Sequence, residues 1–495
     1  MQRFAVLFLI FAAIPAVADD RPNILWIIVD DMSAHFSCYG EKLISTPHVD
    51  RLAVEGVQFN KAFVTAPVCS TCRSAFITGM YQTSIGAHHH RSGRGEQKIR
   101  LPDGVELLPA LFQKAGYYTT VSSWPTRGRN GKGQRLGKTD YNFEWDKSVY
   151  DSNDWSGRKD GQPFFAQIQL QGGKLRGGQA VQQDKFLKRV KAKFGETTKP
   201  DSVTLPPYYP REEVLLKDWA AYLDSVRMTD AVVGEIVQRL KDEGAYDNTL
   251  VLFMTDHGIS HARGKQFLYE EGIHVPLVIR GPGVEAGTKR DDLVEHIDIA
   301  ALSLGAAGIS IPKTMQARDI LAEDYKPREF IVSARDRCDE TVEHLRCVRS
   351  KRFKYIRNFL PNRPHLQPCA YKDKKDILVA LRKANASGKL DPIQKRLFAP
   401  IRPQEELYDL DADPHEIRNL ADDPAMQTTL ATMRQQLSDW MNSTNDHGRT
   451  PEPAEMYDSD MTVYLERLRS RGDAKNLATI EANIAQMKKW ASEGK

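Results

Sequence analysis

Ile24 to Val29 is an unbroken apolar run that stops at Asp30-Asp31, and Leu250 to Met254 repeats the pattern before Thr255-Asp256-His257. Strands apolar on both faces belong in the middle of a parallel sheet with helices on each side. Between the runs, Leu107 to Gly116 reads as a helix with a glycine stop, and Tyr117 to Val121 and Phe164 to Leu170 read as strands. Glu212 to Gly244 is a long helix in which Leu223, Val226, Val233, Ile236, Val237 and Leu240 recur at helical spacing. Asp247-Asn248 then turns the chain into the Leu250 strand. Strands alternating with helices predict an α/β fold: a large, mixed, mostly parallel sheet covered by helices on both faces.

The texture changes after about residue 320. Phe330 to Ser333, Leu345 to Val348 and Phe353 to Ile356 are short strand candidates, and Met426 to Met441 is a helix. A smaller C-terminal domain built on an antiparallel sheet and a helix is expected. At 495 residues the chain exceeds one ordinary core. The expected division is a signal peptide at 1–18, a large domain at 19–322, a C-terminal subdomain at 323–450 and a polar helical tail at 451–495.

Residues 1–18 carry the marks of a targeting segment: Arg3, an apolar stretch from Phe4 to Ile14, and Ala16-Val17-Ala18 as a cleavage signal. The stretch is too short to span a bilayer. A periplasmic or secreted protein is therefore expected. Formal charge is +4 with both signs interleaved, which argues against nucleic acid and membrane surfaces as partners. The densest basic stretch, Lys185 to Lys193, reads as a solvated helix face. Six cysteines are too few to build a fold of this size on disulfides, although export permits one bridge, and Cys338 with Cys347 is the first choice.

The carboxyl ends of parallel strands lie on one edge of a sheet, where ligands bind. Asp30, Asp31, Asp256 and His257 can therefore converge although more than two hundred residues separate the pairs. Three carboxylates in a partly desolvated site repel one another unless a hard divalent cation joins them; the alternative is that each pair merely ends its strand. Between the pairs lies Ala66-Pro67-Val68-Cys69-Ser70-Thr71-Cys72-Arg73-Ser74-Ala75-Phe76-Ile77-Thr78-Gly79. Ser74 to Thr78 reads as helix, so Cys69 falls near a helix N-terminus, where backbone N–H groups favour anions. Arg73 would add a forked contact to a tetrahedral oxyanion. Spacing alone leaves a redox pair or two buried thiols open for Cys69 and Cys72.

This block resembles the signature of the formylglycine-dependent sulfatases, of the alkaline-phosphatase-like superfamily, through Cys69, Arg73, Thr78 and Gly79. Asp30-Asp31 and Asp256-His257-Gly258 resemble the family's two metal pairs. Lys265, Tyr269, Glu270 and Gly272 match a further segment, and Glu406-Leu407-Tyr408-Asp409-Leu410 with Asp413-Pro414 is also typical. The sequence departs from the pattern at Thr71 and Cys72, where proline or alanine and then serine or alanine are usual. It departs again at Lys138-Thr139-Asp140, which follows a Gly- and Arg-rich insertion from Ser122 to Gly137 and lacks the family's histidine. After the Phe164 strand, Gly172-Gly173-Lys174 stands where a histidine is expected.

The resemblance implies that Cys69 is oxidised to formylglycine by a maturation enzyme. The hydrated aldehyde's two hydroxyls would serve to attack sulfur and then to expel sulfate. It implies one divalent cation, calcium with magnesium as the alternative, held by Asp30, Asp31, Asp256, His257 and the residue at 69. Catalytic roles fall to Cys69, Arg73, Lys138 and Lys265, and substrate contacts to Lys174, His261 and His90, with the leaving-group acid open among Lys265, His261 and Lys174. The implied substrate is a sulfated carbohydrate or another small sulfate ester or sulfamate. The rival functions are a phosphonate or phosphodiester hydrolase of the same superfamily and an inactive sulfated-glycan-binding protein.

Overall fold

The computed structural model describes residues 21–126 and 136–495; the expected signal peptide and most of the Ser122–Gly137 insertion lie outside them. The large sheet comprises β1 (Asn23–Val29), β2 (Val57–Phe63), β3 (Tyr118–Ser123), β4 (Phe164–Leu170), β5 (Thr249–Thr255), β6 (His274–Arg280), β7 (Thr288–Arg290) and β8 (Val294–Glu295). Its order is β3-β4-β1-β5-β6-β2-β7, with β8 also on β2. β3, β4, β1 and β5 run parallel, and β6 is antiparallel to both β5 and β2.

The alternation along β1 explains why both its faces are apolar. Ile24, Trp26 and Ile28 enter one core with Phe76, Phe112 and Leu302, while Leu25, Ile27 and Val29 enter the other with Leu223, Val226 and Ile236. The first face is covered by the helices Cys69–Thr78, Leu108–Lys114 and Asp298–Ala306, the second by the long helix Glu213–Asp242. The mixed, mostly parallel sheet expected from the sequence is the one found; the bounds of β1, β3, β4 and β5 fall within a residue or two of those expected, whereas β2 and β6 to β8 were not read from the sequence.

Four strands, β9 (Phe330–Arg335), β10 (Leu345–Ser350), β11 (Phe353–Asn358) and β12 (Glu405–Asp409), form the second, antiparallel sheet. Val332, Val348, Tyr355 and Leu407 pack under the helix Gln427–Ser443. Ile331, Leu345, Cys347 and Ile356 point the other way, into the core of the large sheet. The two sheets thus share apolar packing, and Ala334 donates its N–H to Thr65 at 2.8 Å across the junction.

One expectation is corrected here. Cys338 and Cys347 are free thiols and not a disulfide. In the β9–β10 ladder Cys347 stands opposite Ser333, facing the core, whereas Cys338 lies beyond the ladder and accepts from Gln266 Nε2 at 2.8 Å. The hairpin register separates the pair.

The tail forms two helices, Ala454–Ser470 and Ala474–Ser492. They are tied down by charge and by apolar contact. Buried Arg337 binds Glu452 and Asp460 at 2.6 and 2.7 Å, and Leu468 and Ile480 pack with Ala370. Among the described residues no helix is long and apolar enough to cross a membrane.

Candidate active site

Parallel register delivers the site. Val29 pairs with Thr255 on one side and Leu170 on the other, so β1, β5 and β4 end level. The turns beyond them are stitched by Asp256 N–H to Val29 O, Asp30 N–H to Leu170 O and Met32 N–H to His257 O, all at 2.9 to 3.1 Å. Asp31 has a φ of 58°, in the left-handed region, which costs on the order of 1–3 kcal/mol and persists only where surroundings enforce it. Gln266, beside Lys265, is held at 76° in the same way.

Cys69 is the first residue of the helix Cys69–Thr78, every residue of which is buried. Its Sγ lies 3.1 Å from His257 Nε2, 3.2 Å from Lys265 Nζ and 3.7 Å from Lys174 Nζ. Burial opposes a thiolate, but the charges of Lys138, Lys174, Lys265 and His257 hold this thiol well below the usual range. Cys72, one turn on, sits in the apolar core, and burial together with Asp256 pushes its thiol well above it. The two thiols share a helix and have opposite chemistry; Cys69 is the reactive one. Thr71, the neighbouring departure from the family pattern, caps its own turn by donating to Val68 O at 2.9 Å.

The carboxylates and cations interlock around that sulfur. Arg73 binds Asp30 and Asp256, the latter at 3.0 Å, and also reaches Gln169 at the end of β4. Lys265 binds Asp31 at 2.9 Å, Lys138 binds Asp30 at 3.2 Å, and Lys174 binds Asp30 and lies 3.7 Å from Asp31. Burial, reinforced by the charge of Asp30, raises Asp256 above the usual carboxylate range. Asp30, although buried, is held well below it by Lys138, Arg73 and Lys174.

Two donor sets overlap at this point: Asp31, Cys69 and His257, and Asp30, Cys69 and Asp256. Within each, all ligand atoms lie within 4.8 Å of one another. His257 Nδ1 is 3.0 Å from Gly258 O, which makes that nitrogen a donor and leaves Nε2 as the ring atom facing Asp31, Asp256 and Cys69. Three carboxylates and an imidazole nitrogen, buried and crowded, fit a hard divalent cation.

Lys174 reaches the site because of the glycines before it. Gly172 has a φ of 52°; a Cβ there would overlap the carbonyl oxygen of Asp30, and one on Gly173 would overlap that of Asp31. Side-chain-free backbone lets the Gly172–Arg176 turn lie directly on the Asp30-Asp31 turn. Gly173→Ala is expected to force the two turns apart, lowering unfolding free energy by about 1–3 kcal/mol and turnover more than tenfold. Denaturant melts and steady-state rates on the same preparation check both.

The other expected residues fall differently. His90 lies against Ser70 Oγ, 2.6 Å away, and 3.9 Å from Asp339. His261 points away from Cys69: it is buried against Tyr209 and Trp219, 3.6 Å from Asp218. Burial lowers its pKa to about 3. Two residues were missed. Gln169 could have been found as one of two glutamines, with Gln167, in a strand that is otherwise apolar and wholly buried. Tyr371, whose hydroxyl lies 3.4 Å from Asp31, comes from a four-residue helix that gives no periodic signal.

The sulfatase family profile matches residues 22–309, and the profile described as N-sulphoglucosamine sulphohydrolase, C-terminal, matches residues 257–366. The chain is 32% identical to an ulvan-active sulfatase of Formosa agariphila over 88% of this chain and 77% of that one. It is 26% identical to human N-sulphoglucosamine sulphohydrolase, over 86% and 91%. A structure solved with its substrate D-glucosamine-2-N,6-O-disulfate superposes with a TM-score of 0.58 at 17% identity, covering 86% of this chain and 98% of that one.

Proposed function

The chain belongs to the sulfatase family and is a sulfuric ester hydrolase, and we propose that it cleaves sulfate esters or sulfamates of a sulfated carbohydrate, with Cys69 oxidised to formylglycine as the nucleophile. The observation that carries this reading is the convergence on Cys69 of three buried carboxylates, His257 and four cationic side chains. The names of the two relatives, one acting on ulvan and one on N-sulphoglucosamine, support the carbohydrate.

Asp30, Asp31, Asp256 and His257, with the residue at 69, would hold a divalent cation, calcium in preference to magnesium because buried carboxylates can supply its larger oxygen shell. When bound, it supplies Lewis-acid stabilisation of charge at the sulfate and at the attacking oxygen. The formylglycine supplies a carbon bearing two hydroxyls, one to attack sulfur and one to release sulfate.

The chain's own side chains do the rest. Arg73, braced by Asp30 and Asp256, holds its guanidinium rigidly beside the nucleophile and offsets charge that develops on the sulfate oxygens. Lys138 adds a further cation from the more open side. Lys265 and Lys174 are the ammonium groups within hydrogen-bond reach of Cys69 Sγ, and one of them delivers the proton to the departing alcohol. His261, turned toward Asp218, takes no part in that transfer. The apolar run in residues 1–18 supports export to a periplasm or the cell exterior.

Sulfate and phosphate esters of one chromogenic alcohol separate this reading from a phosphonate or phosphodiester hydrolase. The sulfate ester is expected to turn over at least about a hundredfold faster in kcat/KM, roughly 2.7 kcal/mol of discrimination. Preference for the phosphate ester would overturn the assignment, and no turnover of either by protein carrying the aldehyde would favour a binding protein.

A further inference from the structure

A cleft of about 460 Å³ opens from Asp31 and Lys174, and its outer wall is basic. Lys375, Lys374, Tyr371, Lys475 and Asn476 line it. Lys375 is half-buried, its Nζ 2.5 Å from Ser260 Oγ and 3.4 Å from the Tyr371 hydroxyl, which itself lies 3.4 Å from Asp31. The acids nearest in sequence are engaged elsewhere: Asp373 binds Arg382, and Asp376 accepts from the backbone of Ala180. Arg176, also in the cleft, is matched by Asp218 at 3.1 Å. Among the described residues no ion pair within 4 Å joins Lys374, Lys375 or Lys475 to a carboxylate, and Asp473, which feels the charge of Lys374, answers only part of it; the wall carries net positive charge and shares the Tyr371 ring with Lys265.

Two separate segments build this wall, and both lie beyond residue 366, past the end of either family match. The turn at Ala370 and the tail helix that carries Lys475 are fixed to each other through Glu340, which accepts from Ala370 N at 2.6 Å and from Asn483 Nδ2 at 2.9 Å. Leu468 and Ile480 close the same junction with apolar contact. A packed joint that holds two lysine-bearing segments around a cavity is a site built to receive an anion.

Resting on the sulfatase reading above, we propose that this cleft is a subsite for a second anionic group, sulfate or carboxylate, on the saccharide that carries the ester being cleaved. Lys375 makes the principal contact, and Lys374 and Lys475 draw the group in at the rim. The preferred substrate is then a saccharide with at least two anionic groups.

The test compares kcat/KM for three saccharides sharing the scissile sulfate: one with no other charge, one with a second sulfate and one with a uronic carboxylate. Wild type is expected to prefer a doubly charged substrate about tenfold or more, and which of the two wins identifies the group. In Lys375→Gln the ratio of doubly to singly charged substrate should fall about tenfold, chiefly through KM. Lys475→Glu, an exposed side chain in the first turn of the tail helix where an acid is well tolerated, should lower the same ratio, and raising the salt should lower it in wild type. Equal wild-type rates on all three, or an unchanged ratio in both variants, would overturn the subsite while leaving the sulfatase reading intact. Failure of wild type to release sulfate from any of them, or from a chromogenic monosulfate, would overturn the sulfatase reading and the subsite with it.

Discussion

Cys69→Ser is expected to lower turnover at least about a thousandfold while leaving substrate affinity within a few fold, and Cys72→Ser is expected to remain active. The contrast comes from one turn of helix. Position 69 sits at the N-terminus, 3.1 Å from His257 and 3.2 Å from Lys265, with its thiol held well below the usual range against the cost of burial. Position 72 faces the apolar core, where burial pushes the thiol up. A serine at 69 offers one hydroxyl; once sulfated, it has no second hydroxyl on the same carbon to expel the sulfate, so the variant stalls. Serine at 72 is close to isosteric and costs a modest amount of packing. Rates for wild type and both variants, made in one maturation-competent host, are to be read beside the mass of the Cys69 peptide, the aldehyde being lighter than the thiol. Normal turnover in Cys69→Ser, or an aldehyde at Cys72, would show that the nucleophile is misassigned.

Asp256→Asn should lose activity to a similar extent, on the order of a thousandfold, together with the bound cation. Asp256 is fully buried between Arg73 and His257, and its carboxylate is destabilised by burial and by Asp30. A hard cation relieves that repulsion, and the isosteric amide removes the charge without leaving a cavity. Binding to the native state alone stabilises it by mass action, about 2.7 kcal/mol at a hundredfold excess over Kd. Calcium should therefore raise the melting temperature of wild type and leave that of Asp256→Asn unmoved, and elemental analysis should find the cation in wild type only. Full activity of wild type after exhaustive chelation would refute the metal assignment.

The sequence made the middle of the large sheet plain because β1 and β5 are apolar on both faces and end in unlike, chemically informative pairs. It hid the antiparallel part. β2 reads Val57-Gln58-Phe59-Asn60-Lys61-Ala62-Phe63, and the polar pair that breaks its pattern is where the register with β6 shifts. Facing that shift is Pro276, between Val275 and Leu277, which cannot donate to the ladder and argues against a central strand. Each irregularity accommodates the other, and neither is interpretable alone. Within the site, charged residues at strand ends were legible, as was a cysteine at a helix start. Lys174 arrived as a bare departure from a family pattern; its approach depends on two backbone carbonyls that only the folded turn reveals. The basic wall from Lys375 and Lys475 depends on tail packing, which no local periodicity encodes.

The burial of the nucleophile helix sets a clock. From Cys69 to Arg73 no residue is more than 4% exposed, and the helix is enclosed by strands whose partners span almost the whole large sheet. An oxidising enzyme that must recognise these residues has no purchase on the native protein. If Cys69 is converted as proposed, the opportunity would run from the emergence of this segment during synthesis until β5, some 180 residues later in the chain, completes the pocket around it. Slower folding would lengthen that interval and raise the fraction of molecules carrying the aldehyde, and a substitution that hastens collapse of the first half would yield stable protein with an unconverted thiol. On the formylglycine reading, specific activity would be set by a race during biogenesis as well as by the finished geometry.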